Sequence, residues 1–259
     1  MKTVKINPSQ PAAILAYHSL DDSGSVLSTS PRIFAEQMRI LSELDADIVS
    51  INEISKRMIR ADASKPMIAI TFDDGFRNIH EHALPVLQRY RFPATVFLVT
   101  DYCGGMNSWP SQPLGIPYQA LLDWNQIKEM SRAGIEFGSH TRTHRHLTTI
   151  PNREAEEELV SSKRDIEDAI GRPVDTFAYP YGSYDDRVKE LARMHFMLAC
   201  STSLDFVHSG SDLFALERLD MYYLRRAGLL RHLFSPAFGS YIHLRRRMRG
   251  LKERMPGCL

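Results

Sequence analysis

The sequence predicts an α/β fold in which parallel strands close into a barrel. Short apolar segments alternate with longer segments of helical periodicity, and strands that alternate with helices are usually joined by right-handed crossovers into a parallel sheet. Eight segments have strand character, which is enough to close a barrel. An open doubly wound sheet is the alternative, but the chain contains neither a G-x-G-x-x-G turn nor a G-x-x-x-x-G-K-[ST] loop.

The predicted strands are brief, apolar and bounded by polar or turn residues. Six are clear, at residues 13–17, 67–72, 94–99, 135–138, 176–179 and 197–200. Two weaker segments, 47–51 and 218–222, complete the set.

Helices are predicted between these strands from their end signals. Ser30 and Pro31 form an N-cap and first-turn pair, and Asp123 can cap a helix that begins at Trp124. A charged amphipathic helix opens at Pro151 and stops at Gly171. A further helix spans residues 183–195, and residues 102–121 form one long irregular insertion, which is typical of a functional loop.

Composition excludes several classes of protein. The chain has 259 residues, is 43% hydrophobic and 24% charged, and has a formal net charge of +1. A disordered tail, a collagen-like fibre and a protein that coats nucleic acid are therefore excluded. The three cysteines, Cys103, Cys200 and Cys258, are far apart and are predicted to be incidental thiols.

No targeting signal is recognised in the sequence. The apolar run at residues 12–17 ends at His18 and is too short for a signal peptide. The uncharged residues 102–122 are interrupted by Gly and Pro, so they are predicted to form a loop and not a membrane span. We therefore expect a cytoplasmic protein.

The charge is unevenly distributed. Residues 225–259 contain nine basic residues and one acidic residue, which gives +8 and leaves −7 on residues 1–224. We interpret residues 1–224 as a catalytic domain and 225–259 as a basic amphipathic extension. The extension suggests peripheral binding to an anionic inner membrane. The alternative is a solvated or barrel-capping helix, and nucleic-acid binding is a distant third.

Polar residues follow the predicted strands where a parallel barrel places its active site. They are His18 after the first strand, Asp73-Asp74-Gly75 after residues 67–72, His140 and His144 after residues 135–138, and Pro180-Tyr181-Gly182 after residues 176–179. Asp-Asp-Gly alone is compatible with a plain turn. Two histidines with three residues between them, together with one carboxylate, are typical of a metal site with open coordination positions.

Such a site predicts hydrolysis of an amide or ester. The metal would lower the pKa of its water towards about 7, and the second aspartate could take the proton. Hydrolysis also needs an acid for the leaving group and a donor for the oxyanion. His18 is the candidate acid, and a backbone N–H at residues 180–182 is the candidate donor.

Three segments resemble motifs of the polysaccharide deacetylase family, also called the NodB homology domain or carbohydrate esterase family 4. They are Thr71-Phe-Asp-Asp-Gly75, Ser139-His-Thr-Arg-Thr-His144 and Phe177-Ala-Tyr-Pro-Tyr-Gly182. The resemblance covers residues 12–222 and implies an irregular (β/α)7 barrel. It implies Asp73 as general base, and Asp74, His140 and His144 as metal ligands. It also implies the Tyr181 N–H as oxyanion donor, with the Tyr181 ring and Pro180 lining the substrate groove.

Two features depart from the family pattern. Ala178 stands where the third motif usually has an arginine that orients the catalytic aspartate, and Ile242-His243 is a poor match to the late Leu-His motif. Both departures resemble the poly-β-1,6-N-acetylglucosamine deacetylase branch, whose acid histidine follows an early strand, as in Tyr17-His18. Arg218 could replace the missing arginine, and we also assign it to the substrate-binding set.

The resemblance implies metal-dependent removal of N-acetyl groups from an amino-sugar polysaccharide or a lipid-linked precursor. Zn²⁺ is the expected metal, and other first-row divalent ions remain open. Trp109 in the insertion could stack on a sugar ring, as could Tyr118 and Trp124, although Trp124 could equally belong to the core. The alternatives are hydrolysis of another C–N bond, as in deformylases and ureide hydrolases, and a non-catalytic glycan-binding relative.

Overall fold

The structure is a computed structural model that describes residues 11–208 and 210–253, with side chains as far as residue 250. Cys258, one of the predicted incidental thiols, lies outside the described residues. So do residues 1–10 of the predicted catalytic domain and residues 254–259 of the predicted basic extension.

Seven parallel strands close the barrel. They are β1 (Ala12–Tyr17), β3 (Met67–Phe72), β4 (Thr95–Leu98), β5 (Glu136–Ser139), β6 (Thr176–Ala178), β7 (Leu198–Leu204) and β8 (Leu216–Asp220), in that order around the wall. Pairing of β8 and β3 with β1 joins the two ends of the sheet. A short strand, β2 (Asp47–Ile48), pairs with the first two residues of β3. The predicted irregular (β/α)7 barrel is confirmed, and the open-sheet alternative is wrong.

The pairing of β1 with β3 sets the position of the site. The two strands are in register from Ala12 opposite Met67 to Tyr17 opposite Phe72, and all twelve residues are buried. The backbone ladder continues one step further, because the Asp73 N–H donates to the Tyr17 carbonyl at 2.9 Å. His18 and Asp73 therefore leave the barrel side by side.

Seven α-helices are present among the described residues: α1 (Pro31–Ser42), α2 (Ile51–Arg60), α3 (Leu84–Tyr90), α4 (Trp124–Arg132), α5 (Asn152–Ile170), α6 (Asp186–His195) and α7 (Pro236–Glu253). The predicted end signals mark α1, α4 and α5. The Asp123 carboxylate caps α4, and Gly171 ends α5 with a φ of +66°. Helix α6 begins at Asp186 and not at residue 183, because the Asp185 side chain accepts the Val188 N–H as its cap.

The largest differences between predicted and observed strand boundaries occur in β2, β7 and β8. The segment predicted as 47–51 is a strand for two residues only, because the Ser50 side chain accepts the Glu53 N–H and starts α2 at Ile51. Strand β7 continues to Leu204, beyond the predicted end at residue 200. Strand β8 begins two residues earlier than predicted, and Arg218 lies at its centre.

The C-terminal residues pack on the barrel. Leu230, Leu233, Phe238 and Ile242 are all at most 4% exposed and belong to the hydrophobic core. The Phe238 ring lies 6.0 Å from the ring of Phe206, which follows β7. Helix α7 thus buries one face against the barrel wall. No helix in the described part of the chain has the length and apolar content needed to span a membrane.

Several arginines of this segment are bound to the barrel. Arg246 forms an ion pair with Asp205, and Arg231 forms one with Glu43 at 3.2 Å. The Arg249 guanidinium donates to the Thr202 carbonyl at 2.9 Å. Part of the basic charge of residues 225–259 therefore fastens the segment to the rest of the fold.

Gly182, which follows β6, offers a test of how closely the barrel wall is packed. Its φ is +67°, and a Cβ there would lie 2.0 Å from the Thr202 hydroxyl oxygen. Gly171 has a similar φ of +66° with nothing within 4 Å of its Cβ position, so Gly171→Ala is a matched control for backbone strain alone. We expect Gly171→Ala to cost about 1 kcal/mol and Gly182→Ala to cost a further ~1–3 kcal/mol from overpacking. Urea denaturation of both variants measures the difference, and equal costs would contradict the crowding.

Candidate active site

A tight turn at the end of β3 carries two buried carboxylates. Asp73 and Asp74 are 3% and 4% exposed. Asp74 and Gly75 both have left-handed backbones, with φ of +68° and +75°. A Cβ at Gly75 would lie 2.7 Å from the Leu98 side chain, so the left-handed backbone and this close contact both favour glycine there. The turn thus places both carboxylates at the carboxyl end of the barrel.

Arg218 neutralises Asp73. Its two terminal nitrogens each donate to one Asp73 carboxylate oxygen at 2.7 Å, and its Nε donates to the Ser201 carbonyl at 3.0 Å. Burial alone would raise the pKa of Asp73, but the charge and hydrogen bonds of Arg218 hold that pKa well below its usual range. Ala178, which stands where the family motif usually has an arginine, lies on β6. Arg218 lies on β8, so another strand supplies the positive charge next to Asp73.

Arg218 was also expected to bind substrate, and the structure does not support that assignment. The residue is only 2% exposed, and its guanidinium is occupied by Asp73 and Ser201. We therefore describe Arg218 as a positioning residue for Asp73.

His140 and His144 face Asp74. The distances from their Nε2 atoms to Asp74 Oδ1 are 3.5 Å and 3.3 Å, and one ligand atom from each of the three residues lies within 4.8 Å of the others. The His140 Nδ1 lies 2.7 Å from the Ala178 carbonyl. A carbonyl oxygen only accepts, so Nδ1 carries the proton and Nε2 presents a bare lone pair to the carboxylate.

This arrangement fits a divalent cation. Asp74 Oδ1 is buried and has no hydrogen-bond partner, which is costly for a carboxylate oxygen unless a positive charge is nearby. Burial lowers the pKa of His140 to about 4, so its imidazole is neutral at pH 7, as a metal ligand must be. Two imidazoles and one carboxylate are a common donor set for Zn²⁺ and other first-row divalent ions, and they leave positions open for water and substrate.

The loop between the two histidines is held by α5. Thr141 and His144 have positive φ values of +66° and +59°. The Glu158 carboxylate accepts the Arg142 and Thr143 N–H groups, each at 2.8 Å, and also the Thr143 hydroxyl at 2.5 Å. Glu158 therefore fixes the loop that spaces the two imidazoles. Sequence reasoning missed it, because nothing in the pattern of α5 distinguishes this glutamate from its neighbours.

His18 lies at the edge of the same site. Its Nε2 is 3.8 Å from Asp73 Oδ2, and its side chain is 22% exposed. His18 therefore lies beside Asp73 and is open to solvent, a position from which an acid could act. The catalytic role itself stays a prediction.

The third motif contributes Tyr181, which has a left-handed φ of +58°. Its hydroxyl lies 2.9 Å from His144 Nδ1, and its ring stacks on His146 at a centroid distance of 4.1 Å. Pro180, in the same turn, is buried, and its place in the substrate groove stays a prediction. His146 is thus placed against Tyr181 and outside the group of metal-ligand candidates.

Trp109 does not form the exposed stacking surface that the sequence suggested. It is 2% exposed, and its ring packs on the His144 ring at a centroid distance of 4.3 Å. The insertion therefore contacts the site through the packing of Trp109 on His144. Its neighbour Ser111, which sequence reasoning did not single out, contacts both Tyr181 and His144. The only sequence signal for Ser111 is its place in an unusually long insertion.

A parallel barrel with an Asp/His/His group and a second buried aspartate at its carboxyl end is the arrangement expected of a hydrolase. The family model for polysaccharide deacetylase matches residues 60–198, and the chain belongs to the polysaccharide deacetylase family.

The chain is also similar to two curated proteins and to one solved structure. YxkH of Bacillus subtilis, named for the same family, is 27% identical over 231 residues, which are 88% of this chain and 75% of YxkH. The poly-β-1,6-N-acetyl-D-glucosamine N-deacetylase of Staphylococcus epidermidis is 28% identical over 208 residues, 70% of this chain and 69% of that protein. The structure of IcaB from Ammonifex degensii superposes with a TM-score of 0.72 at 23% identity, covering 87% of this chain and 99% of IcaB.

The Asp73–Arg218 pair predicts a non-additive effect on stability. Removal of one partner leaves the other charge buried, so Arg218→Met is expected to lower the free energy of unfolding by about 3–5 kcal/mol. Asp73→Asn with Arg218→Met removes both charges and should cost less than Arg218→Met alone. Chemical denaturation of the single and double variants at pH 7 measures both values. A double variant as unstable as the sum of the two single variants would contradict the pairing.

Proposed function

We propose that this protein removes N-acetyl groups from an amino-sugar polysaccharide of the poly-β-1,6-N-acetylglucosamine type, with a divalent metal held by Asp74, His140 and His144. The observation that carries the proposal is the unpartnered, buried Asp74 Oδ1, which faces two imidazole nitrogens beside a second ionised aspartate. The named activity of the Staphylococcus epidermidis relative supports this choice of substrate. Zn²⁺ is the metal we propose.

The overall reaction adds water across the amide and releases acetate and a free amine. A bound divalent cation would supply a more acidic water and polarisation of the acetyl carbonyl. Asp73 stays ionised because Arg218 holds its pKa low, so it is ready to accept a proton from the attacking water. His18, next to Asp73 and open to solvent, would deliver a proton to the leaving amine.

Tyr181 would stabilise the tetrahedral intermediate through its backbone N–H. Left-handed backbone conformations of residues other than glycine are costly and cluster at functional sites, and Tyr181 has one next to the metal-ligand candidates. A backbone N–H fixed in this way can donate to the developing oxyanion without reorganisation.

Metal content and acetate release from β-1,6-linked N-acetylglucosamine oligomers test the proposal. The protein as purified should contain one divalent ion per chain, lose acetate release on chelation and regain it with Zn²⁺. Asp73→Asn should lower kcat by at least about 10²–10⁴-fold through loss of the base, while the metal content stays unchanged.

The outcomes separate the alternatives. Metal without acetate release favours a deformylase or a hydrolase of a small C–N substrate. Neither metal nor release favours a glycan-binding protein without catalysis. Chitin oligomers, which are β-1,4-linked, test the linkage, and equal rates on both polymers would contradict the β-1,6 preference.

We also propose that α7 contacts an anionic membrane surface, where a lipid-linked precursor would be accessible. Leu244 and Met248 are one helical turn apart and are 58% and 46% exposed, and the exposed Arg247 lies between them in sequence. Apolar side chains flanked by arginine favour the interface of an anionic bilayer. Because the opposite face of α7 is buried in the core, point variants are better tests than truncation.

Flotation with phosphatidylglycerol vesicles measures this contact. Leu244→Ser with Met248→Ser should lower the bound fraction, and Arg247→Ser should weaken association about fivefold, which corresponds to about 1 kcal/mol. Met194→Ser with Met197→Ser is the control, because these methionines are 58% and 67% exposed in another part of the chain. The same loss in both double variants, or in neither, would overturn the proposal.

A further inference from the structure

A closed set of hydrogen bonds links the insertion to His144. The Tyr181 hydroxyl lies 2.9 Å from His144 Nδ1 and 2.8 Å from the Ser111 carbonyl oxygen. The Ser111 hydroxyl lies 2.9 Å from the Tyr181 hydroxyl and donates to the His144 carbonyl at 3.0 Å. Residues 111, 144 and 181 come from three different segments, which meet at this point.

The positions of the protons in these hydrogen bonds follow from the atoms that can accept a hydrogen bond but cannot donate one. A tyrosine hydroxyl has one proton, and the Ser111 carbonyl can only accept it. The Tyr181 oxygen therefore has lone pairs, and no further proton, for His144. His144 Nδ1 must carry the proton of that hydrogen bond, which leaves Nε2 bare and facing Asp74.

We propose that the Tyr181 hydroxyl and Ser111 are positioning residues for His144, and that they fix its tautomer and ring orientation for metal binding. The proposal rests on the metal role of His144 in the proposed function. Groups that accept the second N–H of a ligating histidine commonly change metal affinity by about 10–100-fold when removed.

The two histidines are oriented by different parts of the molecule. His140 donates to the backbone carbonyl of Ala178, which is fixed in the barrel wall. His144 depends on a side chain and on the insertion, whose Trp109 ring also packs on it. The insertion is therefore a component of the metal site, and disturbance of it should affect one ligand more than the other.

Tyr181→Phe tests the proposal by removing the hydroxyl while the ring remains to pack on His144 and His146. Competition with a chromophoric chelator should give a Zn²⁺ dissociation constant about 10–100-fold weaker than that of the wild type. Tyr118→Phe is the matched control, since Tyr118 lies in the same insertion with 66% exposure and should bind Zn²⁺ like the wild type. Ser111→Ala, which keeps the carbonyl, should show a smaller loss than Tyr181→Phe.

A second measurement on the metal-free protein separates positioning from general loss of structure. Long-range ¹H–¹⁵N correlation spectra should show His144 in the Nδ1–H tautomer in the wild type and in Tyr118→Phe, with this preference lost in Tyr181→Phe while His140 is unchanged. Unchanged Zn²⁺ affinity or an unchanged His144 tautomer in Tyr181→Phe would overturn the proposal. Absence of Zn²⁺ binding by the wild type would instead contradict the proposed function, and the tautomer would still report on the hydrogen bonds.

Discussion

The burial of two adjacent carboxylates at the end of β3 is the constraint on which the site depends. A carboxylate removed from water needs a compensating charge or hydrogen bonds. Asp73 obtains both from Arg218, whereas Asp74 keeps one oxygen without a partner and faces two imidazoles. Two neighbouring aspartates in one turn therefore have different partners. Asp73 is paired with a guanidinium, and Asp74 is suited to bind a cation that is not part of the chain.

Sequence patterns located the barrel and the main polar residues because both follow from periodicity. Apolar runs of the right length predicted the strands, and polar residues directly after them predicted Asp73, Asp74, His140 and His144 at one end of the barrel. The supporting residues were not predictable in this way. The roles of Ser111 and Glu158 follow from contacts with residues distant in sequence. Trp109 was interpreted as a sugar-stacking residue because a long insertion carries no signal of how deeply it folds back.

The uneven charge distribution illustrates another limit of sequence counts. Nine basic residues in residues 225–259 suggested a free basic surface, yet Arg231, Arg246 and Arg249 hold the segment against the barrel. A count records how much charge is present but not how much is already engaged. Residues whose partners lie inside the same chain contribute to the fold, and among the described residues Leu244, Arg247 and Met248 keep an exposed face of α7.

The pairing of Asp73 with Arg218 also has a consequence for the order in which the chain assembles. The two residues are 145 positions apart, and Arg218 lies on the last strand of the barrel. During synthesis from the N-terminus, every earlier strand is available before the guanidinium that Asp73 requires. The attraction between the two side chains is therefore gained only when β8 docks, and it favours the closed barrel over an assembly that lacks its last strand.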